Sequence, residues 1–205
     1  VALDRKAGNV THLSISLGRL GLIYQILGEW DKSEQYSREA LSNSQRLKDL
    51  GSIAYSHARL GWLYFDKGEY AKAREFFEKS YDVRGKAGMK FGQMWSSLFV
   101  IATYAELGEI EKAKNLVDNL QKSALEVEDK WFIATADFAG AILLHAQKKW
   151  KESIELYEKA FQEYEALNVR RWDVYVLARF LSHYARVYLE RDQEGDREKA
   201  FNLLN

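Results

Sequence analysis

Apolar and small residues return in the same columns every 40 positions. Leu20-Gly21-x-x-Tyr24 is followed by Leu60-Gly61-x-x-Tyr64, Val100-Ile101-x-x-Tyr104 and Gly140-Ala141-x-x-Leu144. A fifth copy, Tyr184-Ala185-x-x-Tyr188, comes 44 residues after the fourth. Each copy leads into a turn phrase: Gly28-Glu29-Trp30, Gly68-Glu69-Tyr70, Gly108-Glu109-Ile110 and Lys148-Lys149-Trp150, with a longer turn around Gly195 in the fifth. Beyond the turn stand small residues (Ser33, Ala73, Ala113, Ser153, Ala200) and then an apolar column (Tyr36, Phe76, Leu116, Leu156, Leu203). The pattern predicts one antiparallel helix hairpin per copy. Small residues would sit where helices A and B approach closely, and the Tyr column would fill the space beside them. The turn glycine would end helix A in a conformation that glycine tolerates best. Each helix is expected to run for roughly 16–18 residues, which a 40-residue hairpin with short turns allows.

Composition strengthens the helical reading. The 205-residue chain contains no proline, and proline in a helix interior costs ~3 kcal/mol. Collagen-like, mainly disordered and disulfide-scaffold classes are excluded. Thirty Lys and Arg balance thirty Asp and Glu, which argues against a nucleic-acid partner, since such a partner needs a basic face. The halves differ mildly: residues 1–100 hold 15 basic and 11 acidic residues, and residues 101–205 hold 15 and 19. Cysteine is absent, which removes disulfides, thiol catalysis and cysteine metal sites and points to a cytoplasmic compartment. No run of about 18 apolar residues could span a membrane, and no signal-peptide pattern opens the chain.

The search for chemistry is negative. Neither G-x-G-x-x-G nor G-x-x-x-x-G-K-[ST] occurs, and Gly85-Lys86-Ala87-Gly88 has the wrong spacing for a phosphate loop. His12, His57, His145 and His183 lack H-E-x-x-H spacing, and packing or surface exposure is the plain reading for each. Most carboxylates alternate with Lys or Arg on faces expected to be solvated. Asn9-Val10-Thr11 fits the glycosylation sequon, a commonplace match. No catalytic residue, metal ligand or cofactor is expected, and the segment is read as a non-enzyme.

The Leu-Gly-x-x-Tyr, Gly-x-Tyr, Ala and Phe phrases, met best by Leu60, Gly61, Tyr64, Gly68, Tyr70, Ala73 and Phe77, resemble the tetratricopeptide repeat family. The resemblance spans nearly the whole chain and implies an all-α solenoid of helix hairpins that binds other proteins. Repeats are expected at about 10–47, 50–87, 90–127, 130–167 and, incomplete, 171–205, with residues 1–7 ending a preceding helix. The period is longer than the family's usual ~34 residues, and the closing proline is missing. Both departures look like the long-helix arrays at the carboxy termini of bacterial signalling ATPases and transcription activators. The chain is therefore read as one solenoid cut from a longer protein.

In such solenoids helix A lines the inner groove. The resemblance places Leu22, Tyr55, Trp62, Phe65, Trp95, Phe138, Ile142, His145, Arg179 and Arg186 on that face. The carboxylate clamp of chaperone-tail binders is missing, because Gly18, Leu22, Ala58, Trp62, Trp95 and Phe99 occupy the comparable positions. An asparagine ladder for a peptide backbone is missing too. Trp30 and Trp150 are expected to plug hairpin mouths, and Trp131 and Trp172 to fill contacts between repeats. The implied ligand is a protein or peptide segment, apolar across repeats 2 to 4 and acidic near Arg179 and Arg186, or another domain of the parent protein. The competing reading is that these aromatics are packed between repeats with no open groove. Alternative functions are a self-association scaffold, with a second copy as partner, or the sensory tail of a signalling ATPase or nucleotide cyclase.

Overall fold

The computed structural model describes the backbone of residues 10–167 and 174–204 and the side chains of residues 12–167 and 178–204. The expected helix at residues 1–7, the sequon's Asn9, and Trp172 lie outside the described residues. The described chain is all helix: α1 (Val10–Ile26), α2 (Trp30–Leu47), α3 (Leu50–Asp66), α4 (Tyr70–Lys86), α5 (Lys90–Glu106), α6 (Ile110–Val127), α7 (Lys130–Ala146), α8 (Trp150–Ala166), α9 (Val174–Arg191) and α10 (Asp196–Leu204). No strand occurs among the described residues. Consecutive helices pack as antiparallel pairs, α1 with α2, α3 with α4, α7 with α8 and α9 with α10. This is the helical-repeat solenoid fold.

The eight helices from α1 to α8 start at residues 10, 30, 50, 70, 90, 110, 130 and 150. Each reversal ends in a left-handed residue: Gly28, Lys48, Gly68, Gly88, Gly108, Glu128 and Lys148 all have φ between 55° and 74°. The beat of the backbone is thus 20 residues, half the side-chain repeat. At the hairpin turns the amide after the left-handed residue bonds back to the Tyr-column carbonyl, as in Glu29 N to Tyr24 O and Glu69 N to Tyr64 O, each 2.9 Å. Two such bonds satisfy carbonyls that a helix end leaves without partners. Two helices that begin a hairpin are capped by side chains. Asp49 Oδ1 accepts from Gly51 N at 3.1 Å and Ser52 N at 3.4 Å, and Asp129 Oδ1 accepts from Trp131 N at 2.9 Å.

The chain divides into two compact units, Val1–Thr103 and Tyr104–Asn205, and the division falls inside α5. In the first unit Gly61 lies against the Phe77 ring, and Gly21 lies against Ser33 and Ser37. Ala73, Phe77, Leu60, Leu63 and Leu98 fill the core. Serines line the seam between hairpins: Ser44 meets Ser56 at 3.5 Å, and Ser80 meets Ser96 at 3.3 Å. In the second unit Ala113, Ala141, Tyr157 and Ala160 have no accessible surface. Phe138 stacks on Phe180 at 4.2 Å and Tyr157 on Tyr184 at 5.0 Å, which joins α7 and α8 to α9.

The Tyr column is less uniform than its sequence. Tyr64 is buried, because Arg38 and Glu34 of α2 hydrogen-bond its hydroxyl. Tyr24 and Tyr104 are only half-buried, a correction to the expectation that the whole column lies between helices. The open side of these rings carries a repeated surface motif instead. Lys32, Lys72 and Lys112 sit over Tyr24, Tyr64 and Tyr104 at 5.1, 5.1 and 5.6 Å. Each lysine also pairs with the glutamate three residues before it, Glu29, Glu69 or Glu109.

Candidate functional site

In the first unit the A-helix face is built on an aromatic cluster. Trp62 lies edge-on to Phe99 at 4.3 Å and to Phe77 at 5.2 Å, and Trp95 meets Phe99 at 5.1 Å. Trp62 is buried, Phe65, Leu22 and Trp95 are half-buried, and Tyr55 is exposed. The Tyr55 ring lies across α1, so that a Cβ on Gly18 would approach it to 3.1 Å. The predicted face is therefore graded. Trp62 forms its floor, while Tyr55, Phe65 and Trp95 keep accessible edges. Rings held this way lose little freedom on binding.

In the second unit the helix termini gather a polar pocket of about 190 Å³. Its lining includes Glu106 of α5, Ile142 and His145 of α7, Trp150 of α8, and His183, Arg186 and Glu190 of α9. Arg186 donates to Glu106 and to Glu190, both at 2.5 Å, and Glu190 also meets His145 Nε2 at 3.1 Å. Trp150 packs on the His145 ring at 5.5 Å. Burial pushes the His145 imidazole below its ordinary range, with Glu190 opposing the shift. Burial and the charges of Arg186, His145 and Arg179 hold His183 down to about 4. Both shifts favour the neutral imidazole.

The ten expected site residues are not presented alike. His145 and Arg186 come together in the pocket, with Ile142 in its wall. Phe138 is fully buried under Phe180 and supplies packing. Arg179 is half-buried on α9. Arg186 is exposed, yet two carboxylates already engage it, which corrects the picture of a free cation awaiting an acidic ligand. Trp150 lines the pocket as well as closing its hairpin, and Trp30 stays exposed rather than plugging the first hairpin. Sequence reasoning missed Glu106, His183 and Glu190. The four-residue step from Arg186 to Glu190 was a usable signal. Nothing in the sequence links Glu106 to a partner 80 residues away.

Among the described residues, no group of three or more His, Cys, Asp or Glu side chains is placed to hold a metal ion. No helix there is long and apolar enough to cross a membrane.

Comparison with known proteins gives the repeats their class. Residues 12–86 match the family model for the tetratricopeptide repeat. Those residues carry tetratricopeptide repeats. The solved structure of BtubC (BKLC) from P. vanneervenii matches over 98% of this chain and 84% of its own, with 18% identity and a TM-score of 0.68. A putative kinesin light chain from Podosopora anserina with nearly identical TPR-like repeats matches over 95% of this chain and 92% of its own, with 18% identity and a TM-score of 0.60. A second solved structure of that kinesin light chain, a variant, gives 18% identity and a TM-score of 0.61. At this identity the likeness concerns the fold. No curated protein matches the sequence. Tetratricopeptide repeats generally mediate protein–protein interaction and are typically non-catalytic.

Proposed function

We propose that these tetratricopeptide repeats form an interaction module that takes an apolar peptide or partner segment on the A-helix face of the first unit, without a cofactor. The observation that carries the reading is the graded aromatic face. Tyr55 is 38% exposed, and Phe65 and Trp95 keep accessible edges above the buried Trp62. Exposed aromatic edges on a rigid base are the usual anchors of protein contacts. No lysine or asparagine clamp stands on this face, which favours side-chain burial over capture of a terminal carboxylate. The paired state of Arg186 argues against an acidic anchor in the second unit.

A peptide library displayed on phage and selected against the immobilised chain tests the reading. Enriched peptides should be rich in apolar residues. Tyr55→Ala and Trp95→Ala should each weaken a selected peptide by about tenfold or more, with the helical circular dichroism unchanged. Failure to enrich any peptide, or peptides that bind both variants as tightly as the parent, would overturn it.

A further inference from the structure

The aromatic face of the first unit makes no use of the polar pocket in the second. All the residues that line this pocket belong to the second unit. Inside it Glu106 and Glu190 share a single guanidinium, that of Arg186, so two negative charges meet one positive charge. Burial favours the neutral form of His145 and of His183, which works against an imidazolium there. The two carboxylates are not used alike. Glu190 spends one oxygen on Arg186 and the other on His145. The Glu106 side chain is only 12% exposed, and its Oε1 accepts from Arg186. Its Oε2 accepts no hydrogen bond among the described residues. A mostly buried carboxylate oxygen of this kind calls for a donor, and charge-assisted hydrogen bonds are the strong ones. An ammonium group fits best, because it also supplies the missing positive charge.

The rest of the lining narrows the choice. Lys148 stands in the turn after α7, exposed, and its ammonium makes no ion pair among the described residues. The pocket thus offers a carboxylate to a cation and, separately, a cation to an anion. The wall is apolar where Ile142 is buried and where Ala105 and Trp150 are half-buried, with the Trp150 ring packed on His145 at 5.5 Å. The volume, about 190 Å³, exceeds the ~150 Å³ that admits a benzene-sized molecule.

We infer that this pocket binds a free α-amino acid with an apolar side chain, its ammonium on Glu106 Oε2, its carboxylate toward Lys148 and its side chain against Ile142, Ala105 and Trp150. A residue inside a peptide has neither a free ammonium nor a free carboxylate, so the site is distinct in chemistry from a peptide groove. Arg186 stays on its two glutamates and acts as a positioning residue. By holding Glu106 in place before the ligand arrives, it lowers the ordering cost of binding. The ligand would rest on a network that already joins α5 to α9, 80 residues apart in sequence. Binding should therefore raise the melting temperature of the chain.

Calorimetry of the whole chain with single free amino acids at neutral pH and low salt tests the inference. One or more apolar amino acids should bind, and aspartate and glutamate should not. The matching decarboxylated amine should bind about threefold more weakly than its amino acid, since an exposed ion pair contributes little. Lys148→Gln should cost the amino acid as much and leave the amine unaffected. Glu106→Gln should weaken both ligands by about tenfold or more. Ala105→Phe should fill the pocket and abolish binding. Helical circular dichroism should be unchanged in all three variants, and at the exposed, unpaired Lys148 folding is not at stake. Absence of binding by every free amino acid at millimolar concentration overturns the inference. So does an amine that binds as tightly as its amino acid, or amino-acid binding that survives Ala105→Phe. Peptide capture by Tyr55 and Trp95 is read separately in the Ala105→Phe variant, so loss of one reading leaves the other standing.

Discussion

Single atoms decide several contacts in these repeats. A Cβ on Gly61 would come within 2.6 Å of the Phe77 ring, whose buried side chain has nowhere to retreat. Gly61→Ala should therefore destabilise the chain by about 1–3 kcal/mol, read from the urea midpoint. The same substitution should cost less in a Phe77→Leu background, because the two positions share the clash. Tyr157 works in the opposite sense. Its hydroxyl is buried without a hydrogen-bond partner, and burial pushes the phenol far above its ordinary titration range. Tyr157→Phe removes that unsatisfied group and keeps the ring stacked on Tyr184. It should stabilise the chain by about 1 kcal/mol; a lowered melting temperature would show that the hydroxyl is satisfied after all. The small residue at 61 was legible in the sequence because it recurs with Gly21. The stranded hydroxyl of Tyr157 was not, since its column reads simply as apolar or small.

At the scale of the helix, the turns carry the register. Three of the seven left-handed turn residues are not glycine, namely Lys48, Glu128 and Lys148. An L-residue in that conformation costs roughly 1–2 kcal/mol, and glycine avoids the clash at some entropic cost of its own. Glu128→Gly should raise the urea midpoint by an amount worth about 0.5–1 kcal/mol. The caps act locally as well. Asp129→Ala should cost about 1 kcal/mol by freeing the amides of Trp131 and Phe132. The 40-residue columns predicted the hairpins, since side-chain size repeats with the hairpin. The 20-residue beat was hidden, because only Gly88 marks a turn between hairpins and Lys48 and Glu128 do the same work without looking like turn residues. The inner face was legible as a set of positions. Its gradation was not, because the burial of Trp62 depends on Phe99, which comes from the next hairpin.

At the scale of the whole molecule, acid provides a probe of the second unit. His183 has its folded-state pKa lowered to about 4 from an ordinary value near 6.5. Its neutral form is favoured by folding, so the unfolded chain takes up a proton first as the pH falls. Stability should be level above about pH 6.5, decline between there and about pH 4, and flatten below, as far as this group is concerned. Asp196 titrates in a separate window. Arg191 holds its carboxyl down to about 2, so its contribution persists until the pH falls below about 4. Replacing His183 with Gln should reduce the slope of the urea midpoint against pH between 6.5 and 4 and leave the lower window untouched. An unchanged slope would assign the upper window to other groups. The even spacing of helix starts bears on how such a chain can lengthen. Inserting one residue into a helix would swing everything after it by about 100° around the axis and misalign every later column. A tandem copy of residues 50–89, placed after Met89, would instead begin and end at helix starts and keep the native neighbours at both outer junctions, and its one new junction, α4 against the copied α3, brings together the same repeat columns as the other hairpin boundaries. Copying in blocks of 40 is thus the change of length that this architecture absorbs with repacking confined to one junction, and a chain bearing that extra block should unfold no less cooperatively than its parent.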